Sequence, residues 1–327
     1  MEEKFEKIVK EYRSEINKQL SGLLTKREPV SMYDAGRYVL DAGGKRVRPL
    51  LSLFACEAVG GTWKNALPAA LAVEILHNFT LVHDDIMDAS DSRRGRTTVH
   101  KKWNDNVAIL VGDALVAVAY HALLESKIKR QAEITKLFTD GLLEVCEGQM
   151  FDMEFEQNNS VTVDKYLLMI EKKTGALLKM SAAIGGVIGN ADTGQLEALR
   201  QFGTFLGLAF QIQDDLLDIQ ADTAKIGKPM YNDIKTGKRT YLLLYANEHV
   251  QRNQKSILKK VLDRSVKSNK EIDKVLEVYD KTKAAEAARG AVEHYTIEAE
   301  KCLTHLTGDG RSENLRFFAR MLLGRDY

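Results

Sequence analysis

The chain has 327 residues, with 47 lysines and arginines against 46 aspartates and glutamates, so its net charge of +1 does not favour nucleic acid or an anionic membrane as the main partner. Only four prolines occur where average usage would supply roughly sixteen, which indicates long helices. The three cysteines are far apart and form no Cys-x-x-Cys pair, which argues against a disulfide framework or a zinc site and favours a cytoplasmic protein.

The first ten residues contain no apolar segment of the kind that marks a secretion signal, so we expect none. From there, apolar residues recur at helical spacing and no window alternates as a strand does, which predicts an all-α fold. The absence of repeats and linkers favours a single domain, residues 1–327, of about ten to twelve helices. The most apolar stretch, residues 107–124, is interrupted by Asp113 and His121. We therefore expect a buried core helix, no comparable second stretch and no membrane span.

The pattern Asp-Asp-x-x-Asp occurs twice, each time at the end of an apolar helical run. In a helix, the first and last aspartates of the pattern lie one turn apart, where their charges repel each other near the negative end of the helix dipole. A cation would offset this repulsion, and Mg²⁺ suits a site with few protein oxygens because it keeps water and takes substrate phosphates as ligands. A solvated acidic surface would explain one such cluster better than two. The predicted ligands are Asp84, Asp85 and Asp88 after residues 69–82, and Asp214, Asp215 and Asp218 after residues 199–212.

Clusters of basic residues occur where the chain is expected to turn. Arginine forks bind phosphate oxygens in pairs and lysine supplies a mobile charge, so such clusters near carboxylate-bound metal could hold diphosphates. Each cluster alone is more often a solvated surface. Arg93 and Arg94 are the strongest candidates, because they follow Asp88 by five and six residues. The other clusters are residues 44–49, 172–175, 225–228 and 235–239.

Together, these segments resemble the trans-isoprenyl diphosphate synthases, the family of farnesyl, geranylgeranyl and longer polyprenyl diphosphate synthases. The resemblance spans roughly residues 33–240. It implies a helical bundle around a central apolar cavity, a homodimer, and condensation of isopentenyl diphosphate with an allylic diphosphate using two or three Mg²⁺ ions. The matching segments are residues 43–49, 83–94, 148–149, 173–174, 211–218 and 227–229, followed by Asp233 and Lys238.

The resemblance also implies residue roles. Isopentenyl diphosphate would be held by Lys45, Arg48, His77 and Arg94, although a lone histidine on an apolar helix is more often a core residue. Catalysis and binding of the allylic diphosphate would fall to Arg93, Lys173, Thr174, Gln211, Lys228 and Lys238. Mg²⁺ would bind Asp84, Asp88 and Asp214, with Asp85, Asp215 and Asp218 as further ligands or as holders of metal-bound water.

Product length is predicted from Phe79, which precedes Asp84 by five residues, with Leu76 and Ile75 below it on the same helix. Among the trans-isoprenyl diphosphate synthases that the chain resembles, one aromatic residue at this point is typical of enzymes that make the C20 product, geranylgeranyl diphosphate. Products of C15 or C25 and longer stay open as alternatives. A class I terpene cyclase is disfavoured because its second motif normally mixes Asn, Ser or Thr with Glu. A non-catalytic partner subunit would not need both motifs, and an unrelated helical scaffold would need neither.

Overall fold

The computed structural model describes residues 2–25, 28–125, 129–220, 231–306 and 312–324. Helices make up nearly all of the regular structure in these ranges, which confirms the all-α prediction. The described residues form sixteen α-helices, eleven of them with ten residues or more, against the ten to twelve helices expected. The α-helices are α1 (Glu2–Leu23), α2 (Val30–Leu40), α3 (Val47–Ala58), α4 (Trp63–Met87), α5 (Val99–Lys102), α6 (Asp105–Glu125), α7 (Gln131–Glu156), α8 (Val163–Ile170), α9 (Ala176–Ile188), α10 (Thr193–Gln220), α11 (Asn232–Thr236), α12 (Tyr241–His249), α13 (Lys255–Leu262), α14 (Asn269–Lys281), α15 (Ala284–Cys302) and α16 (Glu313–Leu323).

Two short departures from α-helix fall on segments that the sequence singled out. Strands β1 (Ser92–Arg93) and β2 (Arg96–Thr97) form a small antiparallel ribbon directly after the first aspartate motif. A π-helical turn (Glu171–Gly175) joins α8 to α9 and contains the predicted residues Lys173 and Thr174. Such single π-turns inside α-helices are frequent at functional sites.

The described chain divides into two compact units by its contacts. The first unit consists of Met1–Leu142, Met180–Arg200 and Leu303–Phe318. Its central helix is α4, which packs mainly on α6 and α3. Nearly every side chain of the middle turns of α4 is buried, so this helix is surrounded by protein rather than lying on the surface. That packing holds the first aspartate motif, at the end of α4, in a fixed position.

The second unit consists of Leu143–Lys179, Gln201–Cys302 and Ala319–Tyr327. Its apolar core collects buried side chains from α8, from the end of α10 and from helices α12 to α15. Ile212, just before the second aspartate motif, and Leu216, inside it, belong to this core. Their burial fixes the helical face that carries the aspartates. The interpretation of the chain as a single domain stays a prediction.

Two helices are long and apolar enough to cross a membrane by length and composition: Trp63–Met87 and Asp105–Leu124. The expectation of no second comparable stretch was therefore wrong. Core helices of soluble proteins pass the same test, and 61% of the most apolar window of the first helix is buried within the protein. The corresponding figure for the second helix is only 33%, so α6 leaves much of its apolar surface uncovered and is not the buried core helix expected for residues 107–124.

Candidate active site

The first aspartate motif closes helix α4. The helix ends at Met87, and the N–H of Asp88 donates to the carbonyl of Asp84 at 2.8 Å, which confirms the predicted position at a helix C-terminus. Asp84 is half-buried and Asp88 is exposed. Asp85 is buried, at 5% exposure, and accepts a hydrogen bond of 2.6 Å from Nε of Arg93. Burial raises the pKa of Asp85 although Arg93 opposes the shift. Asp85 has two predicted roles, and its contact with Arg93 favours holding metal-bound water over direct binding of the metal.

The ribbon after the motif brings Arg94 onto the loop before α3. Nη1 of Arg94 donates to the carbonyl of Gly43, and its guanidinium lies over Gly44. A Cβ at Gly44 would come within 3.0 Å of this guanidinium, and the φ of +132° at Gly44 also disfavours any other residue. The two glycines therefore allow Arg94 to lie against the loop that carries Lys45.

Arg48 and His77 form the centre of the same cluster. Nη1 of Arg48 lies 3.0 Å from Nε2 of His77, and because a guanidinium can only donate, His77 accepts through Nε2 and carries its proton on Nδ1. Burial and the positive charges of Arg48 and Arg94 hold the pKa of His77 well below its ordinary value. Burial likewise lowers the pKa of Arg48 to about 10. A neutral imidazole is therefore built into a basic cluster.

Two donors of this cluster are buried without a protein acceptor. Nδ1 of His77 and Nε of Arg48 have no hydrogen-bond partner among the described residues. A satisfied core histidine, the alternative considered for His77, would not leave its N–H orphaned. Unpaired donors beside Arg94 are what a diphosphate oxygen requires.

The π-helical turn organises the predicted residues of the second unit. Gly148 of α7 packs so closely on the backbone of Lys173 that a Cβ would not fit there. Nζ of Lys173 donates to Oδ2 of Asp152 at 2.5 Å. The hydroxyl of Thr174 donates to Oε1 of Gln211 at 2.9 Å. The structure thus brings Lys173, Thr174 and Gln211 to one place, as the resemblance implied.

In the second aspartate motif, Asp215 is the most deeply buried carboxylate, with 2% exposure. It accepts hydrogen bonds from the hydroxyl of Tyr166 at 2.5 Å, from the N–H of Tyr241 at 2.9 Å and from Nε2 of Gln211 at 3.3 Å. Burial, with the charge of Asp233, raises its pKa to about 7. Because both oxygens already bind protein donors, its contacts favour organising the site over direct metal ligation.

The charge of Asp233 raises the pKa of both Asp218 and Lys238. Asp218 accepts from the N–H groups of Asn232 and Asp233, each at 3.1 Å, and burial raises its pKa to about 6. Desolvation lowers the pKa of Lys238, but nearby carboxylates, chiefly that of Asp233, raise it more, so the net shift is upward. Lys238 is therefore firmly protonated. Lys228, the remaining predicted residue, lies outside the described residues.

Sequence reasoning missed three polar residues that organise these clusters. Asp152 pairs with Lys173, and Tyr166 pairs with Asp215. Glu74 is buried and pairs with Arg46. Only Glu74 had a signal in the sequence, since it is the one charged residue in the apolar run of residues 69–82. A carboxylate in such a run requires a buried partner.

The described acidic side chains fit Mg²⁺ better than a metal held by protein alone. Within the described residues, no three His, Cys, Asp or Glu side chains converge closely enough to hold a metal ion. Mg²⁺ is bound by few carboxylates together with water and substrate phosphates, and it takes oxygen ligands. In the first unit Asp84 and Asp88 supply such oxygens, and in the second unit Asp214 does; none of the three is fully buried.

Fold and site define a class of helical enzymes that act on diphosphates with the help of carboxylate-bound metal. The profile of the polyprenyl synthetase family matches residues 29–279. A short chain isoprenyl diphosphate synthase of Methanocaldococcus jannaschii is 43% identical over 248 residues, which are 76% of each chain. The crystal structure of a geranylgeranyl pyrophosphate synthetase from Pyrococcus horikoshii superposes with a TM-score of 0.94 at 35% identity, covering 99% of each chain.

A more distant structure was solved with bound ligands. The polyprenyl synthase of Caulobacter crescentus, 26% identical with a TM-score of 0.89 over 100% of this chain and 98% of its own, was solved in complex with calcium and isoprenyl diphosphate. The chain described here belongs to the polyprenyl synthetase family. It is a trans-prenyltransferase, an isoprenyl diphosphate synthase.

Proposed function

We propose that the protein condenses isopentenyl diphosphate with an allylic diphosphate and that its main product is geranylgeranyl diphosphate. The observation that carries the proposal is the cluster of Arg48, His77 and Arg94 beside the first aspartate motif. It combines three donor side chains with orphaned N–H groups, next to carboxylates that would otherwise repel each other. An anionic substrate would accept hydrogen bonds from the orphaned N–H groups, and a divalent cation would offset the repulsion between the carboxylates.

In this proposal, the two aspartate motifs divide the work with the basic residues. Mg²⁺ held by Asp84, Asp88 and Asp214 would supply Lewis acidity to the allylic diphosphate as it departs. Lys173 and Lys238, together with Arg93, stabilise the negative charge that develops on that diphosphate. The hydroxyl of Thr174 and the carbonyl of Lys173 turn oxygen toward the positive allylic carbon.

The second substrate is bound by the cluster at the loop before α3. Arg48 and Arg94 hold the diphosphate of isopentenyl diphosphate, with Lys45 on the same loop, and the N–H at Nδ1 of His77 donates to it. The departing allylic diphosphate accepts the proton that the new carbon chain releases, so no side chain acts as base. Apolar helices exclude water from the reactive cation.

The proposed product length rests on Phe79. Its ring lies edge-on to the imidazole of His83, with 4.8 Å between ring centroids, and His83 packs on Gly112 of α6, where a Cβ would not fit. An aromatic ring that packs on His83, which itself lies against α6, can stop a growing chain. Leu76 and Ile75 are completely buried below it. The relative from Pyrococcus horikoshii is named as a geranylgeranyl pyrophosphate synthetase, which supports C20.

A cytoplasmic homodimer completes the proposal. Helix α6 has only a third of its most apolar window buried, and its large side chains Ile109, Leu110 and Leu124 are exposed. Exposed apolar surface of this extent is typical of protein interfaces. Sedimentation should give the mass of two chains, and Leu110→Glu should shift the equilibrium toward the monomer because it places a charge on this face.

The test of the proposed function is product analysis. Purified protein is incubated with Mg²⁺, isopentenyl diphosphate and dimethylallyl, geranyl or farnesyl diphosphate, and chain lengths are measured. The expected product is the C20 diphosphate from all three primers. A hydrocarbon formed from an allylic diphosphate alone would identify a terpene cyclase, and no turnover by the isolated chain would identify a partner subunit. A C15 or C25 product would contradict the proposed length.

A further inference from the structure

Two of the proposed diphosphate-binding lysines are each followed by an arginine that is buried. Arg46 comes after Lys45 and is 3% exposed, and Arg239 comes after Lys238 and is 2% exposed. Neither arginine has a role in the proposed chemistry. A guanidinium is costly to bury unless its N–H groups are paired, so the contacts of each arginine should reveal its purpose.

Arg46 ties the loop before α3 to three helices. Its Nη1 donates to Oε1 of Glu74 on α4 at 2.7 Å, and Glu74 is 1% exposed. Its Nε donates to Oδ1 of Asn17 on α1 at 2.8 Å, and its Nη2 donates to the carbonyl of Leu40 at the end of α2 at 2.9 Å. Arg46 itself has a left-handed backbone, with φ of +52°, at the start of α3. The buried ion pair therefore fixes the conformation of the residue directly after Lys45.

Arg239 joins the C-terminal ends of three helices. Its Nη1 donates to the carbonyls of Gly237, which caps α11, at 2.6 Å and of Leu262, the last residue of α13, at 3.1 Å. Its Nη2 donates to the carbonyl of Glu156, the last residue of α7, at 2.9 Å and to Oδ1 of Asn159 at 3.1 Å. Carbonyls at helix C-termini lack partners within the helix and carry partial negative charge. One cation thus pairs with a carbonyl at each of the three ends, while its Nε has no hydrogen-bond partner among the described residues.

Further contacts, beside those of Arg239, fix the backbone on both sides of Lys238. Gly237 has a φ of +70°, and a Cβ there would come within 2.6 Å of the carbonyl of Val261. Thr240 caps α12 by accepting from the N–H of Leu243, and the N–H of Tyr241 donates to Asp215. A lysine side chain has four rotatable bonds, so a rigid backbone is the means by which its ammonium can be aimed.

We propose that Arg46 and Arg239 are positioning residues: Arg46 places Lys45 for isopentenyl diphosphate, and Arg239 places Lys238 for the allylic diphosphate. The inference rests on the proposed function, because it takes the two lysines as the clamps of two different substrates. Each arginine acts through its neighbour and touches no substrate.

The proposal is tested with Arg46→Lys and Arg239→Lys, which keep the charge but cannot reproduce the forked contacts. The KM values for isopentenyl and geranyl diphosphate are measured on the full chain with Mg²⁺, at a temperature where circular dichroism shows both variants folded. Arg46→Lys should raise the KM for isopentenyl diphosphate about tenfold and change that for geranyl diphosphate less than about twofold, and Arg239→Lys should do the reverse. Equal changes for both substrates, or none, would overturn the proposal.

If Arg46→Lys or Arg239→Lys does not fold, milder variants keep the test decisive. Asn17→Ala removes one acceptor from Arg46, and Asn159→Ala removes one acceptor from Arg239, so each should give a smaller shift toward the same substrate. Arg130→Lys changes an exposed arginine that pairs with Glu133 at 2.7 Å and should leave both KM values unchanged. An equal rise in both KM values for either Asn17→Ala or Asn159→Ala would also overturn the proposal.

Lys45→Ala and Lys238→Ala separate a failure of this inference from a failure of the proposed function. Lys45→Ala should raise mainly the KM for isopentenyl diphosphate, and Lys238→Ala mainly that for geranyl diphosphate. If they do so while Arg46→Lys and Arg239→Lys show no such preference, the positioning role is wrong and the assignment of the two lysines stands. If the lysine variants themselves do not discriminate between substrates, the assignment of the clamps is wrong and the positioning proposal falls with it.

Discussion

The hydroxyl of Tyr166 donates to Oδ2 of Asp215 at 2.5 Å, and both side chains are buried. Burial, followed by the charge of Asp215, raises the pKa of Tyr166 far above its ordinary value, so the phenol stays protonated and donates. The middle aspartate of the second motif is thereby anchored from outside the motif, by a residue 49 positions earlier in the chain.

We expect Tyr166→Phe to lower the free energy of unfolding by about 1–3 kcal/mol, because it leaves a buried carboxylate with one donor fewer. Urea unfolding measures the change. Tyr120→Phe is the matched control, since it removes a hydroxyl whose 2.8 Å contact with Thr139 is exposed, and it should cost less than about 0.5 kcal/mol. Equal losses in the two variants would show that the contact with Asp215 stabilises no more than a surface hydrogen bond.

Arg48→Ala should raise the KM for isopentenyl diphosphate more than the KM for the allylic primer. The guanidinium contributes to the proposed isopentenyl clamp together with His77, from which it lies 3.0 Å away. Initial rates at varied concentrations of each substrate separate the two effects. Arg37→Ala, which changes a half-buried arginine paired with Asp34, is a suitable control. Equal effects on both substrates would argue against separate diphosphate pockets.

His77 should make the protein less stable in acid. Its pKa is lowered in the folded protein by burial and by Arg48, so the unfolded chain binds the proton more readily. Stability is therefore lost as the pH falls through the unfolded value of about 6.5, by up to about 1.4 kcal/mol per pH unit below it. Unfolding at pH 7.5 and pH 5.5 measures the loss. His77→Gln should lose less between these pH values than the wild type, and an identical loss would contradict the assignment of a neutral imidazole.

Phe79→Ala should lengthen the product. One helical turn advances about 5.4 Å, close to the length of an extended isoprene unit, so opening one turn adds about one unit. Chain-length analysis of the product gives the answer directly. Phe79→Tyr keeps a ring of the same width and should keep C20. If Phe79→Ala remains active with an unchanged product distribution, the floor of the product site lies elsewhere.

The residues that could be predicted from sequence are those with local patterns. Helical spacing predicts the all-α fold, and paired aspartates one turn apart predict a cation site whatever the rest of the chain does. The partners that hold these groups could not be predicted, because they are distant in sequence. Lys173 pairs with Asp152 across 21 positions, and Arg46 pairs with Glu74 across 28. Only the packing of helices brings such pairs together.

Product formation by Asp84→Asn at saturating Mg²⁺ tests whether the first aspartate motif holds the metal ion that the reaction needs. The variant keeps the size of the side chain and relieves repulsion between carboxylates at the end of α4, so its helical circular dichroism should equal that of the wild type. Turnover should fall by several orders of magnitude, on the order of 10³ or more, because a proposed metal ligand is lost. Asp140→Asn, at an exposed site paired with Lys136, should stay fully active. Near-normal turnover by Asp84→Asn would show that Asp84 does not hold a metal ion needed for the reaction.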